Sequence, residues 1–169
     1  MSDLHNIAME QCVLMSLMTV KDSLEIVIND LSVESFHAER HQLIFRSILE
    51  LSNENKPYDV LLVEQKLNEK KWTQTAGGAE YLMQILGESA SSFYNLESYV
   101  SQLNKLKSHR EIEAIGRKYL SLAQDLTLVD VFSEAESLLT QNESQEQHKQ
   151  GISFEDAIEN ALAQMFDVC

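Results

Sequence analysis

The chain has little proline, little glycine and few aromatic side chains. It contains one proline (Pro57) and five glycines, and aromatic residues make up 7% of its 169 positions. An all-β fold needs many closely spaced turns, and such turns are rich in Gly and Pro. Leu, Glu, Gln, Ser and Ala are abundant instead, and most of these residues favour helices. The composition therefore predicts an all-α protein, and the 44% of apolar residues suffices for a buried core.

Positive charge is also scarce. Thirteen Lys and Arg side chains stand against 27 Asp and Glu side chains, which gives a formal net charge of -14. A protein that binds nucleic acid directly neutralises phosphates with a basic surface, and the sequence has no basic stripe. Little direct DNA binding is therefore expected, and the expected partners are proteins.

Three further features are missing. The two cysteines, Cys12 and Cys169, give neither a disulfide framework nor a CxxC metal pattern, which fits a reducing cytoplasm. No apolar run approaches the roughly 18 residues of a membrane span, and residues 7–20 lack the basic flank of a signal peptide. No two glycines have the spacing of a GxxxxGK[ST] phosphate loop, so nucleotide hydrolysis is not expected. We expect a cytoplasmic protein with no membrane contact and no cofactor.

Apolar residues recur at the spacing of helix faces in five segments of the first half of the chain. Asp59 can cap the fourth segment, because its carboxylate can accept a backbone N–H after Pro57 has ended the preceding helix. Gly77 and Gly78 predict a tight turn before the fifth segment. The predicted helices cover residues 6–19, 24–28, 38–53 and 60–71, and a fifth helix ends near Gly87.

A long helix is predicted after Asn95, which can cap it. Its apolar face changes direction partway, which indicates that its two halves pack against different surfaces. Thr127 followed by Asp130 has the capping-box pattern and predicts the start of a new helix. Residues 96–140 are therefore predicted to form a hairpin of two antiparallel helices. A lone hairpin has only one packed face, so this one is a candidate surface for self-association.

The last part of the chain combines a polar segment with an apolar helix face. Residues 141–150 (QNESQEQHKQ) contain no apolar side chain and are predicted to be a solvated linker. A second capping-box pattern at Ser153 begins an amphipathic helix, whose apolar face contains Phe154, Ile158, Leu162 and Met165. The predicted organisation is a globular head at 1–95, a hairpin at 96–140, a linker at 141–152 and an amphipathic linker helix at 153–169.

Two features could carry chemistry, and for both we favour a structural interpretation. His37 and His41 have the four-residue spacing of two metal ligands on one helix face, but the sequence offers no third strong ligand nearby. Cys12 lies on the apolar face of the first helix without a recognisable base beside it. Neither a metal site nor a nucleophile is predicted.

Charged residues interrupt the apolar stripes of the long helix. They are Arg110, Glu111, Glu113, Arg117 and Lys118. We interpret them as a polar, partner-binding surface of the hairpin. The alternative interpretation is an ordinary solvated face.

Five short motifs occur in order along the chain. They are AMEQCVL at 8–14; Phe36 followed by His41, Ile44 and Phe45; Asp59 followed by Val63 and Leu67; GGAEYL at 77–82; and Asn95, Tyr99 and Arg110 around the start of the long helix. In this order they resemble the N-terminal domain of DnaB-type replicative DNA helicases. The resemblance covers nearly the whole chain, because the amphipathic helix stands where that family has its linker helix.

The resemblance implies a compact six-helix head, a long helical hairpin and a C-terminal amphipathic linker helix. In the family, such domains self-associate as dimers and as a trimer of dimers, and they form a collar that binds primase and helicase loader proteins. The face of Phe154, Ile158, Leu162 and Met165 is implied to dock on the motor domain of a neighbouring subunit. ATP and Mg²⁺ belong to that motor domain, which is absent from this sequence. The family's 5'-3' helicase activity is therefore not expected of this chain alone, and no catalytic, cofactor-binding or metal-binding residues are predicted in it.

Three hypotheses follow for the function. The leading one is an oligomerisation scaffold in DNA replication and a binding platform for primase and loader proteins. The second is a free-standing phage- or plasmid-type regulator with the same fold, which would bind the helicase or primase of its host. The third is an unrelated helical adaptor that shares only the fold.

Overall fold

The computed structural model describes residues 4–88, 95–125, 127 and 130–137. Within these residues all regular secondary structure is helical, so the prediction of an all-α protein is confirmed. A 3-10 helix, Val33–Ser35, lies between α2 and α3, and residues 131–137 form a further helix after α7. The remaining helices are α1 (Ile7–Thr19), α2 (Ser23–Val27), α3 (Glu39–Asn53), α4 (Val60–Glu69), α5 (Thr73–Ala76), α6 (Gly78–Glu88) and α7 (Leu96–Gln124).

Side-chain caps fix the starts of two helices in the head. The Asn6 side chain accepts a hydrogen bond from the backbone N–H of Met9 at the start of α1. The Asp59 carboxylate accepts hydrogen bonds from the N–H groups of Leu61 and Leu62 at the start of α4, as predicted. Such caps each contribute about 1 kcal/mol, because they satisfy N–H groups that have no partner within the helix.

The contacts between residues divide the chain into two units, Met1–Glu113 and Ala114–Cys169. The core of the first unit is built from α1, α3 and the helices packed on them, and its largest fully buried side chains include Phe36 and Phe45. Full burial of one such side chain contributes roughly 1.5–3 kcal/mol. The head was predicted to end at residue 95, but Leu96, Val100 and Leu103 of α7 are also buried in this core. The first third of the long helix therefore belongs to the head.

The turn predicted at the two adjacent glycines is present, but a short helix that was not predicted precedes it. Residues Thr73–Ala76 form α5, and the fully buried Ala76 joins the core. Gly77 ends this helix with a left-handed φ of 92°, and α6 starts directly after it. A Cβ on Gly77 would lie 2.7 Å from the Cβ of Tyr81, so both the backbone angle and the space at this position require glycine.

In the second unit, the described residues include the end of α7 and the helix at 131–137. The hydroxyl of Tyr119 donates a hydrogen bond to the carbonyl of Ala135, which joins the two helices. Thr127 was predicted to cap the second helix. Instead the Asp130 carboxylate accepts from the N–H of Ser133, while Thr127 donates to Asp125, and the helix begins at residue 131.

The predicted linker at 141–152 and the amphipathic helix at 153–169 lie outside the described residues. Among the residues that are described, none of the helices combines the length and the apolar character required to span a membrane.

Candidate interaction surface and buried polar cluster

A cluster of polar side chains lies in the core of the first unit. Glu10 of α1 and His41 of α3 are fully buried, and Tyr81 of α6 is nearly so. The Nδ1 atom of His41 is 2.6 Å from Oε2 of Glu10, and its Nε2 atom is 2.6 Å from the Tyr81 hydroxyl. The amide of Gln11 also donates to that hydroxyl, over 3.1 Å. The cluster joins three helices through a continuous chain of hydrogen bonds.

Glu10 also holds the start of α3. Its carboxylate accepts hydrogen bonds from the backbone N–H groups of His37 (2.8 Å) and Ala38 (3.2 Å). Ala38 occupies the N-cap position of α3, and its side chain cannot cap the helix, so Glu10 supplies a buried negative charge at this helix end. Burial by itself would raise the pKa of Glu10, but the hydrogen bonds from the His41 side chain and from these N–H groups outweigh it and lower the pKa. The carboxylate is therefore charged at neutral pH.

The carboxylate of Glu10, the imidazole of His41 and the phenol of Tyr81 follow one another as in a proton relay. Their burial and their hydrogen bonds indicate a structural role instead. Burial keeps substrates away from all three groups, and among the described residues no buried side-chain polar atom lacks a hydrogen-bond partner. Both ring nitrogens of His41 are engaged, and no group of three potential metal ligands occurs within the described residues. The cluster holds α1, α3 and α6 in register.

The cluster was missed in the sequence, although a signal for it was present. Glu10 precedes Val13, Leu14 and Leu17 at the spacing of one helix face, and His41 precedes Ile44, Phe45 and Ile48 at the same spacing. A polar residue in phase with such a face is directed into the core, where it needs a polar partner. Three of the five motifs that carried the family resemblance each contribute one member of the cluster, Glu10, His41 and Tyr81.

Arg110, one of the predicted partner-binding residues, is engaged inside the first unit. Its guanidinium donates hydrogen bonds to the backbone carbonyls of Leu4 (2.9 Å), Glu34 (2.9 Å) and Ser35 (3.2 Å). Partial burial lowers the pKa of Arg110, although the negative charges of Glu10 and Glu111 act in the opposite direction. Through these hydrogen bonds, Arg110 holds the N-terminal segment and the 3-10 helix against α7.

The other predicted partner-binding residues lie nearer the surface. Glu111 is exposed and Glu113 half-buried at the end of the first unit, whereas Arg117 and Lys118 are exposed in the second unit. Their role at a partner surface stays a prediction. The predicted docking face of Phe154, Ile158, Leu162 and Met165 lies outside the described residues.

Among the described residues of the second unit, two large apolar side chains are exposed. Leu120 is 63% exposed and Phe132 is 86% exposed. Burial of Phe132 by another molecule would be favourable, because a buried Phe contributes roughly 1.5–3 kcal/mol relative to an exposed one. Leu120 and Phe132 are the candidate interaction residues of the second unit.

Substitution of Arg110 by Gln is expected to loosen the N-terminal segment. A Gln amide cannot reproduce the three hydrogen bonds, so we expect a loss of about 1.5 kcal/mol in the free energy of unfolding. Amide hydrogen exchange should also become faster in the segments that contact the guanidinium, around residues 4–6 and 33–36. Arg46→Gln, at an exposed position of α3, is the matched control and should change neither quantity. If amide hydrogen exchange in these segments were unchanged in the Arg110→Gln variant, Arg110 would not be what holds them against α7.

Comparison with known proteins finds a family and a fold. Residues 2–105 match the family described as "DnaB-like helicase N terminal domain". The replicative DNA helicase DnaB of Synechocystis sp. is 26% identical over 133 residues, which are 78% of this chain and 15% of that protein. The chain thus spans about a seventh of the length of that relative.

Two solved structures share the fold. The crystal structure of the N-terminal domain of DnaB helicase from Mycobacterium tuberculosis superposes with a TM-score of 0.73 at 22% identity, covering 82% of this chain and 99% of the other. A structure of a DnaB-like replicative helicase and its interactions with primase superposes with a TM-score of 0.64 at 19% identity, covering 97% of this chain and 36% of the other.

Proposed function

Because the chain belongs to the family of DnaB-like helicase N-terminal domains, we propose that it is an oligomerisation scaffold and a protein-binding platform in DNA replication. The single observation that best supports self-association is the exposure of Leu120 and Phe132 in the second unit. Two copies that bury these side chains against each other would remove apolar surface from water, which is the main favourable contribution to most protein association. The proposed assembly is a dimer that can build a trimer of dimers.

The proposed partners are primase and helicase loader proteins. One structural neighbour is described together with its interactions with primase, which supports a platform role for this fold. The net charge of -14 is unfavourable for binding to DNA phosphates, so protein surfaces are better partners than nucleic acid. On the chain itself, Glu111, Glu113, Arg117 and Lys118 are the polar residues proposed to meet these partners.

A motor domain is the remaining proposed partner. The apolar face of Phe154, Ile158, Leu162 and Met165 is proposed to dock on the motor domain of a neighbouring subunit. ATP hydrolysis and DNA unwinding, with ATP and Mg²⁺ as cofactors, are proposed for that domain. This assignment agrees with the sequence of the present chain, which contains no phosphate loop of the GxxxxGK[ST] type.

Static light scattering at several concentrations tests the scaffold. We expect a molar mass of two or six times 19.3 kDa for the parent chain. Leu120→Ser combined with Phe132→Ser should shift the equilibrium to the monomer, with dissociation at concentrations about tenfold higher or more than for the parent. Leu61→Ser, at a position of α4 that is 72% exposed, is the matched control and should leave the mass unchanged. A parent chain that stays monomeric at all concentrations would contradict the scaffold and favour a regulator that assembles only with its partner.

A further inference from the structure

The short helix α2 presents apolar side chains on its outer side. Leu24 and Val27 of this helix are buried in the core. Ile26 and Ile28 point away from it, with 50% and 42% of their surfaces exposed. This five-residue helix buries its apolar side on the head, yet Ile26 within it and Ile28 at its C-cap stay at the surface.

A groove lies on each side of these isoleucines. The first, of about 510 Å³, lies between α2 and α7 and is lined by Ile26, Ser101 and Asn104 among others. The second, of about 370 Å³, lies between α2 and the connection from α3 to α4, where Ile28 and Tyr58 form part of its wall. Because the two grooves share no lining residue, α2 forms a ridge between two concave surfaces.

The charged side chains that line the two grooves are mostly acidic. Among the described residues, Lys56 is the one cation that lines a groove, and its ammonium group is 2.7 Å from a carboxylate oxygen of Glu54. The pKa of Tyr58 is raised by its burial and by the negative charges of Asp22 and Glu25. Four carboxylates line the grooves, and among the described residues none of them is engaged in a hydrogen bond or ion pair; they are Asp22, Glu25, Asp30 and Glu97.

We propose that this surface, the α2 ridge, binds an amphipathic peptide segment of another protein that carries Lys or Arg beside apolar side chains. The apolar side chains would cover Ile26 and Ile28, and the cations would meet the four carboxylates. An apolar centre bordered by carboxylates favours a partner that has both apolar side chains and positive charges. The α2 ridge is formed by the head, and this proposal does not rest on self-association through Leu120 and Phe132.

A second copy of the chain is a poor occupant for the α2 ridge. Each copy carries the same four carboxylates at its ridge, so two copies that meet ridge to ridge bring these carboxylates together. Like charges brought together at an interface cost several kcal/mol unless cations are interleaved with them. The negative potential of these carboxylates attracts a basic partner and repels the ridge of a second copy.

Fluorescence anisotropy with a labelled synthetic peptide tests the proposal. The probe has about 18 residues, or roughly five helical turns, with Leu on one face and Lys on the other. It is titrated with the whole chain at near-physiological salt, where weak surface attraction is screened. Ile26→Ser with Ile28→Ser removes the apolar contact, and Glu25→Gln with Glu97→Gln removes half of the carboxylates. We expect each double variant to weaken binding about tenfold or more.

Matched controls separate the ridge from the general acidity of the chain. Leu61→Ser with Met83→Ser removes two exposed apolar side chains elsewhere on the head. Glu39→Gln with Glu80→Gln removes two exposed carboxylates elsewhere. Both controls should bind the probe within about twofold of the parent, because substitutions at exposed positions away from the site change little. A second peptide with Glu in place of Lys should not bind.

Several results would overturn the proposal. The first is a probe that fails to bind at millimolar concentration. Equal losses in the ridge and control variants would show adsorption to an acidic protein, and equal binding of the Glu peptide would remove the role of the carboxylates. A fall in molar mass caused by the Ile26 and Ile28 substitutions would assign the ridge to a second copy.

Discussion

Substitution of Glu10 by Gln is expected to lower the free energy of unfolding by about 3 kcal/mol, the scale of leaving a buried donor without the charged acceptor that satisfied it. The carboxylate accepts three hydrogen bonds, from His41 and from the N–H groups of His37 and Ala38. A Gln side chain has a single acceptor oxygen, and its NH₂ group would face a donor that it cannot satisfy. At least one donor would therefore stay buried without a partner. Urea denaturation followed by circular dichroism measures the loss.

The pH dependence of this loss provides a second measurement. The pKa of Glu10 lies below its ordinary value of 4.5 in the folded chain, so its charge stabilises the fold above about pH 4.5. That contribution disappears as the pH falls through the lowered pKa. The parent should lose stability on acidification, and the Glu10→Gln variant should lose less. Hydrogen bonds from Lys56 and Lys66 lower the pKa of Glu54 to about 2. Its protonation in acid also lowers the stability, but it does so equally in the parent and in the Glu10→Gln variant, so it cancels when the two are compared.

Glu39→Gln is the control for Glu10→Gln. Glu39 is exposed in the first turn of α3, and its substitution should change the free energy of unfolding by no more than about 0.5 kcal/mol. If the two variants were equally stable, the buried cluster would contribute no more to the fold than a surface carboxylate does, and its assigned role would be wrong.

Substitution of Gly77 by Ala is expected to cost a similar amount, about 3 kcal/mol. The φ of 92° is unfavourable for any residue with a Cβ. The new Cβ would also lie 2.7 Å from the Cβ and 3.0 Å from the Cγ of Tyr81, so the backbone of α6 would have to shift. Because Tyr81 binds His41, the shift would reach the buried cluster. Thermal or urea denaturation measures the change.

Alanine substitutions at two other glycines distinguish the cost of backbone strain from the cost of steric contact. Gly78 has a φ of 69°, but a Cβ there would meet nothing within 4 Å, so Gly78→Ala should cost only about 1 kcal/mol. Gly87 lies in helical backbone with open space around it, and Gly87→Ala should stabilise the chain by about 0.5 kcal/mol. Any other order of stability among the three variants would contradict the assignment of Tyr81 as the steric cause.

Features that depend on near neighbours in the chain could be predicted from the sequence. The cap at Asp59, the turn at Gly77 and the phase of the apolar faces were correct, because a helix is defined by contacts three or four residues apart. The second helix of the hairpin was placed three residues early. Thr127 was the predicted cap, but its hydrogen bonds go to Asp125, and Asp130 caps the helix instead.

The sequence by itself determined that the protein is all-α, that it carries an excess of negative charge, and where most of its helices begin and end. Only the tertiary structure paired Glu10 with His41, 31 residues away, His41 with Tyr81, 40 residues away, and Arg110 with Leu4, 106 residues away. It also showed that Arg110, a predicted partner-binding residue, donates three hydrogen bonds within the head. The physical reason is distance along the chain: helix formation and capping follow from neighbouring residues, whereas the partner of a buried charge is chosen by the packing of whole helices.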